Sequence, residues 1–216
     1  MSETIRTLFE QIQAEMDQSV MAIYGKMKRQ RISLERVGVF AIIGDFEKSR
    51  LEAQNIDDYF LRAQAWIWIY RHSHQQNDYG EAHSLLIVLK GAKYEKILIA
   101  LAEAATADQN FSNAYTLFAL AGIKPDAIHC LFVLTLVEAK DFEMALKTAE
   151  KIKSADLRSM AEVAIASNNG SVELFQNAFE RTKKIRNKFV RAEAQVFIAQ
   201  ALAEIISEGA TESPKK

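Results

Sequence analysis

Any chemistry in this chain would have to come from a few side chains. Three histidines, His72, His74 and His83, lie close together, and imidazole is a common metal ligand. His72 and His74 are two residues apart, which on a helix turns them about 200° from one another. No neighbouring cysteine or pair of acids completes a ligand set. His129 beside Cys130 would offer a base next to a nucleophile, but adjacent helical residues do not face each other. Cys130 lies in the apolar stretch HCLFVL and reads as a buried thiol, and a lone cysteine forms no internal disulfide. There is no glycine-rich phosphate loop, nucleophile elbow or HExxH motif. Asp57-Asp58 opens an apolar helical run, where capping accounts for it. The sequence therefore predicts no catalytic residue, no cofactor, no metal site and no enzyme.

Two basic runs remain, KMKRQR at residues 26–31 and RTKKIRNK at residues 181–188. Neither is interleaved with the aromatic side chains on which single-stranded bases stack. The net charge of −1 supplies no general attraction to nucleic acid or to an anionic membrane. Solvated helix faces are the default for such runs, and nucleic acid is not an expected partner. No stretch approaches the roughly 18 unbroken apolar residues of a membrane span. The first twenty residues mix acids with apolar residues, unlike a secretory signal. A cytoplasmic protein is the expectation.

The elements that would position these side chains are written in a repeat. GDFEKSRLEAQ at residues 44–54 returns as KDFEMALKTAE at residues 140–150. An aromatic followed three residues later by a small residue recurs as Phe46/Ser49, Tyr79/Ala82, Phe111/Ala114, Phe142/Ala145 and Phe175/Ala178, with aromatics 33, 32, 31 and 33 residues apart. Before each comes a polar or turn-forming pair, the mark of a chain reversal. A second string recurs as DDYFLRAQAWIWI, SADLRSMAEVAIA and NKFVRAEAQVFIA. Each opens on a capping Asp, Ser or Asn and passes a basic residue, Arg62, Arg158 or Arg191. Every repeat thus reads as a helical hairpin. With 49% apolar residues and only two prolines in 216, long helices and a real core are permitted. A hairpin of this length cannot bury both faces alone, so identical hairpins stack, with the small residue admitting the neighbouring helix.

These residues resemble the tetratricopeptide repeat family. AQAWIWIYRHSHQQNDYGEA at residues 63–82 looks like that family's first helix, turn and second helix, with Trp66 at the large apolar site and Ala82 at the small one. The period is shorter than the family's usual 34 residues and the proline after the second helix is largely missing, so the likeness is to a tetratricopeptide-like chain. It implies an all-α protein, a right-handed α-solenoid of about five stacked helix-turn-helix repeats forming a single domain over residues 1–206. It also implies a concave groove lined by the first helices, here Gln64, Ile67, Arg71 and His74, then Lys96, Ile99 and Glu103, then Ala127, Cys130 and Leu134, of which Ile99 and Cys130 read better as core. By that resemblance the partner is a peptide or amphipathic helix of another protein, oriented by Arg71, Lys96 and Glu103.

Outside the repeats at residues 33–206, Ile5, Leu8, Phe9, Ile12, Met16, Val20, Ile23 and Met27 fall three and four apart. They predict one amphipathic helix over residues 1–32 that caps the stack or makes a homodimer. The polar tail at residues 207–216 predicts disorder. The function expected is a non-enzymatic adaptor, scaffold or chaperone. A homodimeric regulatory subunit built on the N-terminal helix, or an RNA-binding helical repeat, is the alternative.

Overall fold

The computed structural model describes residues 25–211 together with Thr7, Leu8, Gln11, Ile12, Ala14 and Glu15. Among these residues every regular element is a helix. The chain divides into two compact units, Met1–Asp108 and Gln109–Lys216. The boundary falls at the turn of the third expected hairpin.

In the first unit, α1 (Lys26–Ile42) and α2 (Phe46–Gln54) form one hairpin, and α3 (Tyr59–Ser73) and α4 (Gln76–Ser84) the next. A short 3-10 turn (Leu85–Val88) leads to α5 (Gly91–Ala107). α3 packs on both α1 and α5. The second unit repeats the scheme: α6 (Phe111–Leu120) packs on α7 (Pro125–Glu138), which pairs with α8 (Phe142–Ala149). Next come the hairpin of α9 (Ala155–Asn169) and α10 (Val172–Thr182) and the last helix α11 (Lys188–Thr211), with α9 packed on both α7 and α11.

The twice-written string has one structural cause. α1 ends when Gly44 takes φ 81°, so that its N–H reaches Ala41 O at 3.1 Å and the Asp45 N–H reaches Phe40 O at 2.9 Å. These two bonds satisfy carbonyls that a helix end would leave bare. The Asp45 carboxylate then accepts the Lys48 N–H at 3.2 Å and starts α2. At the second copy Lys140 takes φ 60°, its N–H and that of Asp141 each reach carbonyls of α7 at 2.9 Å, and Asp141 caps α8 through the Met144 N–H at 3.1 Å.

The small residues sit where the spacing put them: Ser49, Ala82, Ala114, Ala145 and Ala178 are all completely buried. The Ser49 hydroxyl donates to Val37 O at 2.8 Å, so even the polar member is satisfied. An isoleucine closes three of the hairpins that lead to a first helix, Ile56, Ile152 and Ile185, all buried. Arg62 and Arg191 donate back to the carbonyls of Ile56 (2.6 Å) and Ile185 (2.9 Å), whereas Arg158, the basic residue of the middle copy, turns to Glu162. Adjacent hairpins are tied across 28 residues. Gln30 on α1 accepts the Asp58 N–H at 3.0 Å, and Asp126 on α7 accepts the Ser154 N–H at 2.7 Å. Each bond secures the start of the following first helix.

Two expectations on extent need revision. The helix predicted to run unbroken from the N-terminus past residue 25 is interrupted there, because Gly25 takes φ 108°. α1 begins at Lys26 and crosses the expected boundary between residues 32 and 33. Most of the predicted N-terminal helix lies outside the described residues; of those described, Leu8 and Ile12 are helical and about half exposed. At the other end α11 continues to Thr211. Residues 212–216 of the polar tail lie outside the described residues.

Candidate cleft on the first unit

α3 is fixed before its face is formed. The Asp58 carboxylate accepts the N–H groups of Phe60 and Leu61 at 3.0 Å, setting the helix start. Ala63, Ala65, Trp66, Ile69 and Tyr70 then turn into the core. What remains toward α5 is Gln64, Trp68 and Arg71, at helical spacings of four and three. With Ile67 at its floor and Ala100 and Glu103 from α5, they surround a cleft of about 190 Å³. Arg71 Nη2 lies 3.0 Å from Glu103 Oε2 and bridges the two helices.

Trp68 was not anticipated, and it is the largest side chain of this cleft. Its ring is seated against Gly38 in the middle of α1, where a Cβ would come within 2.0 Å of Cζ3. A glycine inside a helix usually costs about 1 kcal/mol, and here it makes room for an indole. Two signals could have located it: a solitary glycine within a helical pattern, and the i, i+4, i+7 register of Gln64, Trp68 and Arg71.

The predicted groove residues are brought together in part. Gln64, Ile67, Arg71 and Glu103 share the cleft, although Ile67 is 2% exposed and belongs mainly to the core. Lys96 is exposed on α5 and is not among the residues around the cleft, its place being taken by Ala100 one helical turn on. His74 ends α3 in the left-handed conformation, φ 53°, and its Nδ1 lies 2.8 Å from Asp108 Oδ1. Asp108 also receives the Tyr70 hydroxyl in a short hydrogen bond. Burial first, and then the Asp108 carboxylate, push the Tyr70 phenol up to about 12. His74 therefore ties the end of α3 to the end of α5.

Ala127, Cys130 and Leu134 all lie on α7, in the second unit. Ala127 borders a cavity of about 800 Å³ that is also lined by Lys124, Asp126, His129, Lys151 and Asp156. His129 is held among rings, with Tyr115 at 5.6 Å and Phe132 at 6.3 Å. Burial, and then Lys151, lower its pKa against the opposing pull of Asp126. Cys130 packs instead against the cluster of α7, α8 and α9, and burial raises its thiol. The pair has neither shared surroundings nor an activated thiolate. Leu134 is 43% exposed.

Three of the other candidates have structural partners. Lys26 pairs with Asp57 at 2.8 Å, Arg181 with Glu162 at 2.8 Å, and His83 stacks on Tyr79. Among the described residues no group of three or more His, Cys, Asp or Glu is placed to hold a metal ion, and no helix is long and apolar enough to cross a membrane.

The class that this architecture defines is an all-helical chain of hairpins with a cleft between first helices. Compared with models of protein families, with curated proteins and with solved structures, the chain matches none.

Proposed function

We propose that the chain is a tetratricopeptide-like α-solenoid of about five hairpins that acts without catalysis, holding a segment of a partner protein against the cleft of α3 and α5. The recurrent ties support the solenoid reading. The Gln30–Asp58 and Asp126–Ser154 bonds, the buried small residues and the capped turns are one hairpin design used repeatedly.

The observation that carries the binding reading is Trp68. It is 37% exposed on a face otherwise made of Gln64, Arg71, Ala100 and Glu103. A large ring held rigid by Gly38, with one face available, is the anchor such a site needs, since aromatic and arginine side chains supply most recognition energy at little entropic cost. The segment that suits it is amphipathic, with an apolar side chain against Trp68 and Ala100 and polar groups meeting the Arg71–Glu103 pair. A partner with both features stays oriented.

Trp68 also supplies the test. Replacing the buried Trp66 by Phe leaves Trp68 as the sole reporter, and peptides selected from a displayed random library against the full chain can be titrated by its emission. Binders are expected to shift that emission and, followed by the anisotropy of a fluorescent label on the peptide, to lose about tenfold or more in affinity on Trp68→Ala. Selected peptides that bind Trp68→Ala equally well would place recognition elsewhere and sink the cleft reading.

A further inference from the structure

The second unit carries an apolar groove that its own described residues leave open. Between α10 and α11, Val172, Phe175 and Phe179 face Ile198, Ala199 and Leu202 across about 340 Å³. Phe175 and Ile198 form a buried floor, while Val172 is 67% and Phe179 43% exposed. Elsewhere in the unit a first helix is covered by its own second helix, as α7 is by α8 and α9 by α10. Among the described residues α11 is followed by no such helix. Such an apolar groove is a surface that an amphipathic helix can cover.

We propose that its occupant is the N-terminal segment, residues 2–24, of a second copy of this chain. That segment repeats apolar residues at Ile5, Leu8, Ile12, Met16, Val20 and Ile23, which is the single stripe a groove-bound helix presents. Of the two stripe residues described, Leu8 and Ile12 are helical yet 55% and 52% exposed. Charge agrees. The segment holds four acids, Glu3, Glu10, Glu15 and Asp17, to one base, Arg6, while the turn closing the groove is RTKKIRNK. Lys183 stands over the Phe179 ring, at 5.1 Å, and Lys184, Arg186 and Lys188 beside it are exposed. The basic run that reads in the sequence as a solvated helix face becomes the rim of a protein contact. Donor and acceptor surfaces differ, so the contact is heterologous and grows past a dimer unless a ring closes. The inference uses neither Trp68 nor its cleft and stands independently of the proposal above.

Sedimentation of three full-length proteins tests it. The unmodified chain is expected to associate with rising concentration, and Leu8→Glu/Ile12→Glu and Val172→Glu/Phe179→Glu are each expected to be monomeric. Mixing the two variants should restore a one-to-one complex, because one retains the groove and the other the helix. An unmodified chain that stays monomeric at about 100 µM, well above the range of useful affinities, overturns the proposal. So does a groove variant that associates normally, which would mean that the N-terminal helices pair with each other. In case a double variant fails to fold, a labelled peptide of residues 2–24 is titrated against Leu8→Glu and against Leu8→Glu/Val172→Glu, both surface changes. About tenfold weaker binding to the second, and weakening by salt, are expected, and equal binding to both overturns the assignment. A monomeric chain that accepts the peptide only once its own Leu8 is replaced would mean that the segment lies in its own groove, and this too excludes a second copy.

Discussion

Among the described residues each unit buries one carboxylate, and the two are neutralised differently. In the first, Asp78 of α4 is 2% exposed and takes two bonds of 2.7 Å from Arg50, which belongs to α2 in the preceding hairpin, and a third from the Ser73 hydroxyl at 2.6 Å. In the second, Glu162 of α9 is 4% exposed and is held by Arg181 of α10 at 2.8 Å and by Arg158, one turn earlier on its own helix, at 3.2 Å. The first ion pair joins hairpins and has one guanidinium, whereas the second closes a single hairpin and has two. An intact buried pair contributes little net stability, but half of one is costly. What differs between the units is therefore how much is lost when an arginine is removed.

Arg50→Ala is expected to cost about 3–5 kcal/mol, because Asp78 is left buried and charged with only a hydroxyl beside it. Arg181→Ala should cost about 1–3 kcal/mol, since Arg158 remains with Glu162. The units can be read apart because Trp66 and Trp68 are the only tryptophans and both lie in the first. Urea unfolding followed by tryptophan fluorescence reports on Arg50→Ala, and amide hydrogen exchange over α9 and α10 reports on Arg181→Ala. Equal losses in the two variants would erase the distinction between a tie across hairpins and a tie within one.

Acid sharpens the same contrast. Burial pushes Asp78 upward, yet its bonds to Arg50 and Ser73 outweigh that, and its pKa falls below the ordinary 3.8. A lowered folded pKa contributes stability that is complete above 3.8 and is lost as pH falls through the folded value. The fluorescence-detected urea midpoint of the unmodified chain should therefore drop below about pH 4. In Arg50→Ala the burial contribution stands with only Ser73 opposing it, so Asp78 shifts above its ordinary value. The variant then regains stability as pH is lowered toward 3.8, where the unmodified chain gains nothing from this group. Parallel pH profiles for the two proteins would show that Asp78 is not the group responsible.

The hairpins were legible because their signals are local. A small residue three positions after an aromatic, a capping side chain and a left-handed turn each act within one turn of helix, and all five small residues are fully buried as the spacing required. The cleft was legible only along single helices. Gln64 and Arg71 were placed correctly on α3, but the choice of Lys96 over Ala100 depended on how α5 is rotated against α3, and no spacing within one helix sets that. Trp68 was passed over because WIWI offers two indoles, and which of them enters the core is decided by Gly38, thirty residues away on another helix. The Arg50–Asp78 tie is likewise a contact between elements, and nothing around either residue alone announces it. The division at Asp108 left no mark in composition, since the turn there resembles the others.

The smallest contrast is in the turns that open the two repeated strings. Gly44 and Lys140 adopt nearly the same left-handed conformation, φ 81° and 60°, with the same pair of carbonyl bonds behind them. Glycine does so freely, whereas a side chain meets the following carbonyl and is strained by about 1 kcal/mol. Gly44→Ala should then cost the first unit about 1 kcal/mol, visible as a lower fluorescence midpoint. Lys140→Gly should gain the second unit about 0.5 kcal/mol, because relief of strain is partly offset by the greater freedom of glycine in the unfolded chain. Slower amide exchange over α8 is the measurement that would register it. A loss of stability in Lys140→Gly would mean that the lysine contributes a contact worth more than its strain, and that the two turns share a geometry without sharing its cause.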